Sequence, residues 1–118
     1  MDELRQLEAQ GSEALVATLM GSYLVSADSA MSELASAVTA PDFEAVVAIA
    51  HRLAGSSGTV GAAVAAKAFS DLERAGALRD IEASQHAMVQ VEAALVVTRP
   101  ALEAERMRSL NAGTKTAP

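Results

Sequence analysis

The stretch at residues 42–61 reads DFEAVVAIAHRLAGSSGTVG and predicts a single helix with one buried face. Asp42 can accept a hydrogen bond from a backbone N–H of the first turn, as a helix N-cap does. Apolar side chains then recur at steps of three and four, the period of an amphipathic helix. They are Phe43, Val46, Val47, Ala50 and Leu53, and Ser57 continues the stripe. The segment Gly-Thr-Val-Gly at 58–61 is expected to end the helix.

Three further helices are predicted around this one. The preceding helix covers residues 12–39, with Ser12 as a candidate N-cap. It ends at Ala40-Pro41 because the residue before a proline is pushed out of the helical region. A third helix ends at residues 75–77, and a fourth runs from about Asp80 to Thr98. The expected inward residues are Val16, Met20, Tyr23, Ala27, Ala30, Leu34 and Val38, then Ala65, Phe69, Leu72 and Gly76, then Ile81, Met88, Val91 and Leu95.

Four long helices joined by short connections predict an all-α fold, an antiparallel up-and-down four-helix bundle. Pro100 either kinks the fourth helix or starts a short extension through about Leu110. A short N-terminal helix within residues 1–10 is a further candidate element. We assign the bundle to residues 1–110 and a flexible polar tail to residues 111–118. With 118 residues, the chain has room for one core.

The composition argues against several classes of protein. A net charge of −6 disfavours nucleic-acid binding, which requires a basic face. The absence of cysteine excludes disulfides and thiolate metal sites. The longest uncharged stretch, residues 14–27, is too short and too polar to span a bilayer, and the acidic N-terminus does not resemble a signal peptide. We therefore expect a cytoplasmic protein with no nucleic-acid or membrane partner.

His51 lies at the solvent edge of the predicted 42–61 helix. At about 100° per residue, it stands one step round from the buried stripe. Its neighbours on that surface are small: Ala48, Ala54, Gly55 and Gly58. Since glycine costs about 1 kcal/mol inside a helix, Gly55 has to be explained. It either lets another helix pack closely or leaves room above His51 for an approaching reactant. The residue spacing alone does not distinguish these two explanations.

Other chemistries find little support in the residue pattern. His86 is the only other histidine, and neither histidine is followed by a His or Glu three or four residues later, so we predict no metal site. No phosphate-binding Gly-Lys-Ser/Thr motif is present. Ser56 and Ser57 have no base and acid that the sequence can place beside them. From the residues alone, His51 is either an ordinary surface histidine or a reactive one.

The stretch resembles the signature of the histidine-containing phosphotransfer (HPt) domains of multistep two-component signalling. The family pattern is Ala-His-x-Leu-Lys-Gly, then small residues, then a hydrophobic residue and Gly. The matching residues are Ala50-His51-Arg52-Leu53-Ala54-Gly55, Ser56-Ser57-Gly58 and Val60-Gly61, with Asp42-Phe43 before them and Leu72-Glu73 in the following helix. The resemblance covers roughly residues 12–98. The family lysine is replaced by Ala54, which leaves open how the phosphoryl oxygens are neutralised.

This resemblance implies a phosphoryl carrier. His51 would accept a phosphoryl group from a receiver-domain aspartate and pass it to another receiver domain. The implied partners are response-regulator receiver domains and a hybrid histidine kinase. The receiver is expected to bring Mg²⁺, so this chain needs no cofactor, metal or nucleotide of its own and is not a kinase. We expect a monomer.

Two groups of residues are expected around the phosphorylation site. The supporting residues are Gly55, Arg52 and Lys67, and antiparallel pairing about a turn centred near residue 59 sets Lys67 level with His51. The two cations are nevertheless better explained as solvated surface charges. The partner-docking residues are Ala48, Ala54, Gly55 and Ala66, with the first long helix contributing near Ala27 and Ala30. Two alternatives stay open: a module that docks a receiver without accepting phosphate, which the alanine at position 54 would fit, and a structural or dimerising helical bundle.

Overall fold

The computed structural model describes the backbone of residues 2–115 and the side chains of residues 13–111. Within these limits it consists of helices α1 (Asp2–Thr39), α2 (Phe43–Thr59), α3 (Ala63–Ala77) and α4 (Ile81–Lys115), with no strand. Three-residue connections join them, and each helix packs on two others in the ring order α1, α2, α3, α4. The predicted all-α antiparallel four-helix bundle is confirmed.

The N-terminal boundary differs from the prediction. Helix α1 begins at Asp2 and passes through Gly11 and Ser12 without a break. The separate helix in residues 1–10 and the N-cap at Ser12 are therefore wrong. A single glycine costs only about 1 kcal/mol relative to alanine. That is too little to interrupt a helix flanked by good helix formers on both sides.

Helix α4 also runs further than expected. Pro100 lies inside it, and the helix continues to Lys115, five residues into the segment expected to be a tail. Leu95 and Leu102 on either side of the proline are both buried in the core. Packing on α1 therefore holds the turns before and after Pro100, which offsets the backbone hydrogen bond that proline cannot donate. Residues 116–118 of the predicted tail lie outside the described residues.

The core consists of small and aliphatic side chains from all four helices. The predicted inward residues are buried except Val16 and Ile81, which are 39% and 43% exposed, and Phe43 and Val47, which are half-buried. At the level of Val16, Ala17 is buried instead. Helices α2 and α3, of 17 and 15 residues, are far shorter than α1 and α4.

One segment of α1, Glu13–Thr39, is long and apolar enough to cross a membrane by length and composition alone. This differs from the expectation based on the longest uncharged stretch. Some of its apolar side chains, such as Leu24 and Leu34, are buried in the core of the bundle, whereas Leu15, Leu19 and Val25 are exposed. Packing inside the bundle thus accounts for only part of the apolar composition of this helix.

Helices α2 and α3 lie close together at Gly76. A Cβ atom added there would lie 2.9 Å from Cγ1 of Val46 and 3.2 Å from Cγ2 of Val47. Both valines are stiff at χ1, so they cannot easily move aside. At Gly55, by contrast, a Cβ atom would meet nothing within 4 Å.

The same substitution at these two glycines should have opposite effects. Gly55→Ala is expected to raise the free energy of unfolding by about 1 kcal/mol through helix propensity. Gly76→Ala gains less stability from helix propensity, because Gly76 is the next-to-last residue of α3. The added methyl group also overpacks the contact between α2 and α3. We expect it to lower the free energy of unfolding by about 1 kcal/mol or more. Urea unfolding measures both, and a stabilising Gly76→Ala would contradict the close contact.

A buried hydrogen bond joins α1 to α2. Tyr23 Oη and Ser57 Oγ lie 2.7 Å apart, and both residues are almost fully buried. Burial raises the pKa of the Tyr23 phenol, while the hydrogen bond to Ser57 and the charge of Arg99 act in the opposite direction. The neutral phenol is therefore the form that the folded protein favours.

This pKa shift predicts a loss of stability in alkali. Because the folded-state pKa lies above the unfolded value near 10, the contribution of Tyr23 is fully present below about pH 10 and declines as the pH rises through the folded-state pKa. Tyr23→Phe should unfold at lower denaturant concentration at about pH 8, but its stability should fall less between about pH 8 and pH 11 than that of the wild type. Parallel pH dependences would contradict this role.

Candidate phosphotransfer site

Helix α2 presents His51 to solvent, as the sequence predicts. The Oδ1 atom of Asp42 accepts a hydrogen bond from the Ala45 amide at 3.2 Å, which fixes the start of the helix. Ala50 and Leu53 then face the core and are fully buried. With the helix oriented by these contacts, the His51 side chain is 77% exposed.

The partner of His51 is Glu73, on α3. Nδ1 of the imidazole lies 2.9 Å from Oε2 of the carboxylate. An ionised carboxylate can only accept, so Nδ1–H donates and the neutral ring carries its free lone pair on Nε2. Since the ring is largely exposed, Nε2 is accessible to a reactant. The site therefore has an oriented imidazole, in which Nδ1 is hydrogen-bonded to Glu73 and Nε2 is free to react.

Sequence reasoning quoted Glu73 only as part of a Leu-Glu match and gave it no role. The error was one of register. With the turn centred near residue 59, antiparallel pairing sets Lys67 level with His51. The connection observed is residues 60–62, whose centre sets Asp71 level with His51, and the side chain of Glu73, two residues further along α3, reaches the imidazole. A register argument centred on Gly61 would have come closer, and this glycine has the positive φ of 79° that marks the turn.

The small residues predicted near His51 are all at least partly accessible. Ala48, Gly55 and Gly58 are exposed, and Ala54 and Ala66 are partly buried. Because a Cβ atom at Gly55 would contact nothing, close packing of another helix does not explain this glycine. It leaves open space beside His51.

The structure does not bring the two predicted cations to His51. The Arg52 guanidinium lies 3.8 Å from Glu33 of α1. Lys67 Nζ lies 3.1 Å from Asp71 and lines the groove between α3 and α4. Lys67 is six residues before Glu73, about 120° round the helix, so the face that carries Glu73 to His51 directs Lys67 elsewhere. Both side chains make exposed ion pairs.

The expected contribution of the first helix to the docking surface is wrong at Ala27 and Ala30. Both are 0% exposed. They lie on the stripe of α1 that packs into the core, so a partner cannot reach them. Among the residues whose side chains are described, no group of three or more His, Asp or Glu side chains is placed to hold a metal ion.

Comparison with known families identifies the family of this chain. The model of the Hpt domain matches residues 18–109, which is 92 of the 118 residues. The chain belongs to the Hpt family, whose members are phosphocarrier modules of two-component signalling rather than kinases. They interact with receiver domains and histidine kinases and are generally cytoplasmic. Searches of curated proteins and of solved structures gave no significant match.

Removal of Glu73 should change the tautomer of His51 with little effect on stability. In the wild type, ¹⁵N–¹H correlation spectra at alkaline pH should show Nδ1 protonated. Glu73→Ala should yield a mixture of both tautomers, because nothing then holds the Nδ1 proton. The free energy of unfolding should change by less than about 1 kcal/mol, since this is an exposed pair.

Asp71→Ala is the matched control. It removes a carboxylate from the same helix and breaks the pair with Lys67, so the His51 spectrum should stay as in the wild type. A wild-type ring protonated mainly at Nε2 would contradict the proposed orientation.

Proposed function

We propose that this protein is a phosphorelay intermediate that accepts a phosphoryl group on His51 from a receiver-domain aspartate and passes it to another receiver domain. The observation that supports this most directly is the hydrogen bond from Nδ1 of His51 to Glu73. It leaves Nε2 as the nucleophilic nitrogen of an exposed ring, on a surface cleared by Gly55 and its small neighbours.

In the first transfer, the lone pair of Nε2 attacks the phosphorus of the aspartyl phosphate. The P–N bond forms as the P–O bond to the aspartate breaks, and the carboxylate leaves with the electron pair. The ring becomes positively charged as Nε2 bonds to phosphorus. Glu73 keeps its hydrogen bond to Nδ1–H and balances this charge. The second transfer reverses these steps on another aspartate.

Alignment is the main contribution of this chain. Phosphoryl transfer passes through a loose transition state and depends on positioning and on neutralising the equatorial oxygens. Alanine stands at position 54, where the family pattern has its lysine, and the carboxylate of Glu73 is already engaged with Nδ1. We therefore assign neutralisation to the receiver and its Mg²⁺, while His51 and Glu73 supply the nucleophile and its orientation.

The proposal includes a cytoplasmic monomer without kinase activity. Its partners are response-regulator receiver domains and a hybrid histidine kinase. The alternative that Ala54 favours is a docking module that binds a receiver without accepting phosphate. A dimerising helical bundle is the structural alternative, and sedimentation distinguishes it, because the proposal requires a mass near 12.1 kDa.

Transfer of radiolabel from phosphorylated receivers tests the function. Wild-type protein should acquire an acid-labile label, as expected for phosphohistidine, and His51→Gln should acquire none because it lacks the nucleophile. His86→Gln is the matched control, since it removes the only other histidine, an exposed side chain on α4, and should be labelled like the wild type.

Two results would overturn the proposal. Failure of the wild type to acquire label from any of a panel of receivers would leave only the docking module or the structural bundle. Label that persists in His51→Gln would show that another residue accepts the phosphoryl group.

A further inference from the structure

An apolar groove lies between the beginning of α2 and the end of α3, with a volume of about 350 Å³. This volume suits a single aliphatic or aromatic side chain. Most of its lining is apolar, and one acidic and one basic residue complete it. The lining residues are Phe43, Glu44, Val47, Ala48, Gly76, Ala77 and Arg79. We call it the α2–α3 groove.

The groove begins within one helical turn of the phosphotransfer site. Ala48 lies three residues before His51, and Ala77 lies four residues after Glu73. Residues at these spacings share a helix face, so the groove continues the surface that carries the His51–Glu73 pair. The missing side chain of Gly76 lets α2 and α3 approach closely here and keeps the groove open.

A cation lies at the groove. The Arg79 guanidinium lies 5.9 Å from the centre of the Phe43 ring, within the range of a cation–π interaction. The Arg79 backbone is left-handed, with φ of 56°, and its amide donates to the Gly76 carbonyl at 3.0 Å. The turn after α3 and the aromatic ring of α2 together hold the positive charge beside the apolar walls.

We propose that the α2–α3 groove is a docking subsite for the receiver domain, which inserts one apolar side chain there and presents an acidic group to Arg79. This inference rests on the proposed function of His51. Transfer requires the aspartyl phosphate to come within about 3.5 Å of Nε2. A specific interface covers about 600–800 Å² per partner, which is a disc of about 14–16 Å radius. A receiver seated on His51 therefore also covers the groove.

The charge of Arg79 suits this partner. A receiver that brings Mg²⁺ holds the ion with carboxylates, because oxygen ligands are what Mg²⁺ requires. Its surface around the phosphorylated aspartate is consequently acidic.

A second groove, between α3 and α4, also has a volume of about 350 Å³. It lies on another side of the bundle and is lined by residues that include Lys67 and Ala93. It provides a matched comparison.

The test fills each groove with the same side chain. Ala77→Trp occupies the α2–α3 groove, and Ala93→Trp occupies the α3–α4 groove. Transfer is followed at increasing concentrations of the phosphorylated receiver that labels the wild type fastest. Ala77→Trp should raise the half-saturating receiver concentration about tenfold, the loss of about one strong interface contact. Ala93→Trp should behave as the wild type.

Arg79→Asn tests the cation without straining the turn, because asparagine tolerates the left-handed conformation. It should raise the half-saturating concentration about threefold at low salt, and the difference should shrink at about 1 M salt, where surface charges are screened. Circular dichroism confirms that each variant is folded. Labelling of His51 by phosphoramidate, which needs no docking surface, should be equal in all of them.

The outcomes separate the two proposals. Wild-type protein that is labelled by phosphoramidate but by no receiver overturns the relay function and the docking subsite together. Normal transfer to the wild type, combined with unchanged receiver dependence in both Ala77→Trp and Arg79→Asn, overturns the subsite alone. Equal impairment by Ala93→Trp also overturns it, because the effect would then not be specific to the groove beside His51.

Discussion

The close packing of α2 on α3 at Gly76 is the constraint on which the site depends. Val46 and Val47 occupy the space where a side chain at position 76 would lie. The two helices therefore come close enough for Glu73 of one to reach His51 of the other at 2.9 Å. The same approach shapes the groove that ends at Arg79. One missing side chain thus positions His51, the carboxylate that holds its ring and the adjoining surface.

The long helices α1 and α4 support the short helices α2 and α3. Helices α1 and α4 bury their own stripes, and α2 is tied to α1 by the hydrogen bond between Tyr23 and Ser57. Arg99 of α4 pairs with Asp28 of α1, and this pairing lowers the pKa of the aspartate. With α2 held at its buried face, His51 can remain exposed without loosening the core. The buried face of α2 therefore anchors the helix, while His51 stands on its exposed side.

The site of this chain contains an anion beside His51 but lacks the cation of the family pattern. Alanine at position 54 removes the cation that the family pattern places beside the phosphoryl group, and Glu73 is an anion. Glu73 acts on Nδ1, on the far side of the ring from Nε2. It can therefore stabilise a positively charged ring while the neutralisation of the phosphoryl oxygens falls to the partner. In the proposed relay, transfer therefore depends on docking, because the docked receiver supplies the charges that neutralise the phosphoryl oxygens.

The sequence by itself determined the four helices, the buried stripe of α2 and the exposed position of His51, because these follow from local periodicity, caps and breaks. It did not determine the pairing of His51 with Glu73, since a shift of two residues in the turn centre changes which residue of α3 stands level with the histidine. It also could not distinguish the two roles of glycine: Gly76 permits close packing, whereas Gly55 leaves open space. Only the tertiary structure decides such questions, because they depend on how far apart two helices lie and how each is rotated about its axis.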